Sequence, residues 1–169
     1  MIRLSNLYGK KFGIISVSDL WTLGTSASDS PRSAAADTWT TIEHSTVLVN
    51  DIEGASIGGT NNSQFLLPPG LYIVRGSTCF DSASANSSGG IRLRDVTNDV
   101  TISIGAGCQT SYHATSSGGY YWQAVFELTE EVVVEAQFGF NDGGVLGVTQ
   151  GETYGGYECF HTMTIAKVG

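Results

Sequence analysis

From residue 38 onward the chain alternates short apolar runs with clusters of Gly, Ser, Asn, Asp and Pro. Runs of four to a dozen residues rich in Val, Ile, Thr and aromatics, bounded by turn residues, are the pattern of β-strands. The pattern predicts strands over residues 38–50, 65–67, 70–80, 90–96, 100–104, 120–128, 132–140 and 157–168. Pro68-Pro69-Gly70 cannot lie inside a central strand and must form a turn or an edge. Asn98-Asp99, between Arg94-Asp95-Val96 and Val100-Thr101-Ile102, signals a hairpin, and Glu130-Glu131 signals another. Residues 54–63 read as a loop, and 111–119 and 142–156 as the longest loops, where binding chemistry tends to be mounted. No long stretch carries the 3.6-residue apolar spacing of a helix. The expected class is therefore all-β, with the last strand belonging to the core.

The first 35 residues differ. Ile2, Leu4, Leu7, Tyr8, Phe12, Ile14, Ile15, Val17, Leu20, Trp21 and Leu23 form an apolar series without one clean period. A Ser/Ala/Asp stretch with Pro31 follows and reads as a linker. The division expected is an arm and linker over residues 1–35 and a sandwich over 36–169. Two places are open for the arm. It folds back on its own sandwich as an extra strand, or it packs on a partner.

With 169 residues, 22 of them Gly and only 14% charged, the chain fits one domain with a proper core. The net charge of −8 is unevenly placed. Arg3, Lys10, Lys11 and Arg32 outweigh Asp19 and Asp29 in the first 32 residues, whereas the body is strongly acidic. An acidic body repels phosphates and argues against a nucleic-acid partner. The opening Met-Ile-Arg-Leu-Ser-Asn has no apolar signal core and no segment reaches a membrane-spanning length, so cytosolic synthesis without a membrane partner is expected.

Cys79, Cys108 and Cys159 are odd in number and far apart, which suits small buried hydrophobes better than disulfides. Asn61-Asn62-Ser63 and Asn86-Ser87-Ser88 match the glycosylation sequon but read as polar loops. Gly54-Ala55-Ser56-Ile57-Gly58 matches the nucleophile-elbow pattern, yet Gly59-Thr60-Asn61-Asn62-Ser63 after it is a loop where the elbow needs a helix. His44, His113 and His161 stand alone. Cys159 and His161 on one strand could supply two zinc ligands, but a second pair is missing. Asp95, Asn98 and Asp99 lack the spaced oxygens of a calcium loop and read as turn residues. No phosphate-cradling Gly-rich loop opens a helix. Neither a catalytic apparatus nor a cofactor is expected.

Three stretches together resemble the C1q/TNF-like jelly roll in the version found in bacteriophage virion proteins. They are Leu67-Pro68-Pro69-Gly70-Leu71-Tyr72-Ile73-Val74, Tyr121-Trp122-Gln123-Ala124-Val125-Phe126-Glu127-Leu128 and Thr164-Ile165-Ala166-Lys167-Val168-Gly169. The likeness covers about residues 38–169. It implies a jelly-roll sandwich of two antiparallel sheets and a homotrimer. The Gly-X-Y stem of secreted members is absent, which turns the reading from signalling to a virion component. Aromatic residues exceed what one face of a strand pair needs, since neighbours in a strand point to opposite faces. Tyr121, Trp122, Phe138, Phe140 and Phe160 are the expected trimer interface, a kind of surface that obligate assemblies bury. The function expected is a capsid cement or decoration protein on the virion surface. Its attachment device would be the arm, through Ile2, Arg3, Leu4, Leu7, Tyr8, Phe12 and Trp21, seated on the major capsid protein or other virion subunits. Deleting residues 1–24 is then expected to leave a folded trimer. The alternative is a receptor-binding tip of a tail or head fibre that recognises a host-surface glycan.

Overall fold

A computed structural model describes residues 12–22, 33–82, 88–104, 108–109, 119–141, 144–146 and 157–168. Fourteen strands follow in chain order among them. They are β1 (Gly13–Thr22), β2 (Ser33–Ala34), β3 (Thr38–Thr41), β4 (Thr46–Asn50), β5 (Ser56–Gly58), β6 (Gln64–Leu67) and β7 (Gly70–Ser82). Next come β8 (Ser88–Asp95), β9 (Val100–Ile104), β10 (Cys108–Gln109), β11 (Gly119–Leu128), β12 (Val132–Phe140), β13 (Gly144–Leu146) and β14 (Tyr157–Lys167).

Two antiparallel sheets result. The first runs β2-β13-β7-β14-β1-β4, with β11 also paired to β7; the second runs β10-β8-β12-β6-β5, with β9 on β8. Strand alternation sends one side of each sheet into the shared core. From the first sheet come Ile15 and Val17, Met163 and Ile165, Tyr72 and Val74, and Trp122, Ala124 and Phe126. Facing them are Phe65 and Leu67, Ile91 and Leu93, and the period-two series Val132, Val134, Ala136, Phe138 and Phe140 of β12. The fold class is the expected one, a jelly-roll sandwich.

Residues 13–22 correct the expected division of the chain. They form β1, between β4 and β14, paired from Gly13↔Lys167 to Thr22↔Tyr157 with a register shift at Asp19/Leu20. The boundary at residue 35 therefore does not separate an arm from the sandwich here, and removal of residues 1–24 would take out an inner strand. Residues 1–11 and 23–32 lie outside the described residues.

β12 is covered on both sides. The segment around β3 closes its edge beyond β6, with Asp37 N donating to Phe140 O and Ile42 N to Ala136 O, each at 2.8 Å, and sets Trp39 against its outer side. A Cβ on Gly139 would lie 2.8 Å from Thr38 O and 3.2 Å from the Trp39 ring, so only glycine lets β3 approach so closely. Glu135 and Gln137 are buried there and satisfied by neighbours. Gln137 Nε2 donates to Glu135 Oε1 (2.5 Å), Arg92 Nε to Gln137 Oε1 (2.6 Å), and the Arg92 guanidinium sits over the Trp39 ring at 4.7 Å.

The expected Pro68-Pro69-Gly70 turn joins β6 to β7 and is held by Tyr72 OH donating to Pro68 O at 2.5 Å. Residues 54–63, expected as one loop, contain β5 and a 3-10 turn at Thr60–Asn62.

Candidate functional site

Among the described residues, the outer side of the first sheet carries exposed apolar groups. Register places Ile14 opposite Ala166, Ala166 opposite Ile73 and Ile73 opposite Val125, so one apolar row crosses β1, β14, β7 and β11. Ile14 and Val125 are exposed, Val125 at 64%, while Ala166 and Ile73 are half-buried. Leu71 beside the row and Phe12 before β1 are exposed as well. The adjoining rows are polar: Ser16, Thr164, Arg75 and Gln123, then Ser18, Thr162, Ser77 and Tyr121. Ser77 and Thr162 share a 2.7 Å hydroxyl hydrogen bond, and Tyr121 ends that row with 85% of its surface exposed.

An apolar row shared by four neighbouring strands is a candidate for protein contact. It carries no nucleophile, base or metal ligand. Among the described residues, no three of His, Cys, Asp and Glu gather as a metal-holding group. Asp95 instead accepts from Asn98 N and Asn98 Nδ2, both at 2.9 Å, closing the turn between β8 and β9. Ser56 opens β5, and a 3-10 turn follows it where an elbow would require a helix.

The expected trimer-interface residues divide sharply. Tyr121 points outward as expected. Trp122 is only 5% exposed, and Phe138 and Phe140 are likewise in the core of the single chain. The reason is alternation: Trp122 follows Tyr121 and must face the other way, and β12 turns Phe138 and Phe140 inward with Val132 and Val134. The Trp122 ring lies over Gly76, where a Cβ would collide with it, and Trp122 Nε1 donates to Thr78 Oγ1 at 3.3 Å. The side chain of Phe160 is outside the described residues. Of the arm residues, Ile2, Arg3, Leu4, Leu7 and Tyr8 are also outside them, Phe12 is exposed, and Trp21 sits in β1 opposite Glu158.

Ile14, Leu71, Ile73, Val125 and Ala166 were not expected at the site. Their signal is the unbroken run Leu71-Tyr72-Ile73-Val74: a strand apolar at consecutive positions presents apolar groups on both sides. A test separates the two sides. Trp122→Ala should cost about 3–5 kcal/mol, the usual cost of emptying a large aromatic from a core. It should lower the urea midpoint at every protein concentration. Tyr121→Ala should keep the circular dichroism of the folded chain.

The histidines do not all stand alone. His44 Nε2 lies 3.1 Å from His161 Nδ1, with both rings buried, and His44 Nδ1 lies 3.1 Å from Asn62 O. Phe65 meets His44 edge-on at 5.6 Å, and Trp122 stacks on His161 at 6.1 Å. Burial pushes the His44 imidazole down to about 4, against a smaller opposing effect of the Asn62 carbonyl. Burial, and then the neighbouring His44, push His161 well below the ordinary histidine range. His113 is outside the described residues.

No family model matches the chain, and no curated protein matches it. Solved structures do. The crystal structure of murine APRIL at pH 8.5 is 11% identical with a TM-score of 0.54, over 94% of this chain and 100% of that one. Murine APRIL at pH 5.0 gives 11% and 0.55 over the same shares. The globular domain of the zebrafish complement 1qA protein is 13% identical with a TM-score of 0.53, over 94% of this chain and 98% of that one. At these identities the likeness is one of fold: the chain is a TNF/C1q-like jelly roll.

Proposed function

We propose that this chain is a non-enzymatic structural protein that assembles as a homotrimer through the outer side of its first sheet. We further propose that the trimer decorates a virion capsid. The observation that carries the assembly is the apolar row Ile14, Ala166, Ile73 and Val125, with Leu71 beside it and Tyr121 beyond one polar row. Burying apolar surface stabilises by about 25 cal/mol per Å², so covering this row favours association strongly. Tyr121 and Val125 are four positions apart on the outward side of β11, which makes that strand the natural meeting line.

The capsid reading rests on the sequence resemblance and on the residues before β1. The attachment device is the segment 1–12, narrowed from the original 35 because Trp21 belongs to β1. Ile2, Leu4, Leu7, Tyr8 and Phe12 supply apolar contact, and Arg3 with Lys10 and Lys11 supplies the positive charge. Attachment dominated by apolar burial persists at high salt, because salt screens only the charge contribution.

Two measurements test this. Tyr121→Asp with Val125→Asp should shift the mass in solution to that of one chain while the fold persists, because assembly would bury unpartnered charges. Deleting residues 1–11 should leave a folded trimer that no longer co-sediments with shells lacking it. If the deleted form still decorates shells, the contact is on the sandwich. If neither form binds shells and the full chain binds host cells or their glycans, the receptor-binding alternative replaces decoration.

A further inference from the structure

The His44–His161 pair joins parts of the fold that nothing else requires to be polar. His44 follows β3 and is tied to the turn before β6 from three directions. Its N donates to Asn61 O (2.8 Å), its ring meets Asn62 O (3.1 Å), and its carbonyl accepts from Asn62 Nδ2 (2.9 Å). Asn61 Nδ2 also donates to Glu43 Oε2 at 2.7 Å. His161 lies on β14, in the middle of the first sheet, with Thr78 of β7 opposite it on one side and Asp19 of β1 on the other. One imidazole contact thus couples the turn at residues 59–63 to the inner strands of the opposite sheet.

The chemistry of that contact fixes the protons. A carbonyl can only accept, so His44 Nδ1 carries hydrogen and His44 Nε2 is the acceptor in a neutral ring. His161 Nδ1 therefore donates to His44 Nε2. One added proton can be accommodated, because a charged His161 still donates Nδ1–H to His44 Nε2; a second proton, on His44 Nε2, sets donor against donor at 3.1 Å, and the pair must part. We propose that His44 and His161 form an acid-sensitive latch, closed at neutral pH, whose opening frees the turn at residues 59–63 from the first sheet.

The groups facing the latch oppose protonation weakly. Phe65 of β6, Trp122 of β11 and Thr78 of β7 are uncharged, and Glu43 is held by Asn61. The buried Asp19 carboxylate is the anion that would favour a charged His161. Burial lowers both rings, and His44 lowers His161 further. Both folded-state values lie below the unfolded value of 6.5. Below that pH the unfolded chain binds protons that the folded chain refuses. The latch thus contributes in full above about pH 6.5, and its contribution is lost as pH falls towards 4.

Urea unfolding of the full chain at fixed protein concentration tests this at pH 7 and pH 5. His44 alone should raise the unfolding constant about 20-fold between these pH values, and His161 should raise it well beyond that. His161→Asn keeps a donor amide near His44 Nε2 but cannot ionise, and should cut that rise to about 20-fold. Carboxylate contributions are common to both proteins and cancel in the ratio. Equal pH responses of the wild type and His161→Asn would overturn the latch. If His161→Asn does not fold, nitrogen-15 spectra of the wild-type histidines decide. His44 and His161 must both show neutral rings with hydrogen on Nδ1 at pH 6, and either ring titrating near 6.5 in the folded protein would overturn it. Lower amide protection at residues 61–63, relative to the intrinsic exchange rate, at pH 5 than at pH 7, beyond the loss of global stability, is the expected sign of opening; unchanged protection would overturn the latch.

Discussion

A chain lacking residues 1–24 will not fold. The deletion removes β1, which pairs with β14 on one side and β4 on the other. Ile15 and Val17 leave the core with it, both fully buried. Emptying one buried Ile costs about 2–5 kcal/mol, and a whole domain holds only about 5–15 kcal/mol. The loss of two core side chains, two ladders and the cover over β14 exceeds that margin. Circular dichroism of the truncated chain should show no cooperative thermal transition. A cooperative melt near that of the full chain would mean that β1 is dispensable and the sheet closes without it. Deleting only residues 1–11 leaves β1 in place and should not have this effect.

Removing the last six residues should be nearly as damaging. It takes away Ile165, which is buried, and the pairings of Thr164, Ile165, Ala166 and Lys167 with β1 and β7. Val168 is half-buried and lies outside the core, contrary to the expectation that it belonged to it, so Ile165 carries the side-chain loss. That loss alone is about 2–5 kcal/mol. In a chain of this size each kcal/mol moves the melting point by about 2–4 °C. The four lost ladder positions add to it, so a fall of more than about 10 °C is expected. A truncated protein that melts within a few degrees of the full chain would remove β14 from the centre of the sheet.

These outcomes also mark what the sequence makes legible. Strands β9 and β12 coincide with the stretches expected from residues 100–104 and 132–140, because their turns and apolar alternation are unambiguous. β1 is one of the two places open to the first residues, and its bounds are not legible because its period is broken. Ile14 is apolar on the outer side next to Ile15 on the inner, and register shifts interrupt both of its ladders. The abundance of aromatics marks an interface without saying which of them reach it, and alternation divides them: Tyr121 outward, Trp122 inward. Phe138 and Phe140, expected at the interface, share the inward side of β12 with Val132, Val134 and Ala136. The apolar row itself was visible only in part, because it takes one residue from each of four strands whose register is a tertiary property. The His44–His161 contact joins residues 117 positions apart, and no local pattern announces it.

The central claim is that the outer side of the first sheet is covered by copies of the same chain. Light scattering of the purified full chain at micromolar concentration tests it most directly. The account predicts three times the mass of one chain, falling to one for the protein carrying both Tyr121→Asp and Val125→Asp. A full chain that remains a stable monomer at that concentration would contradict it.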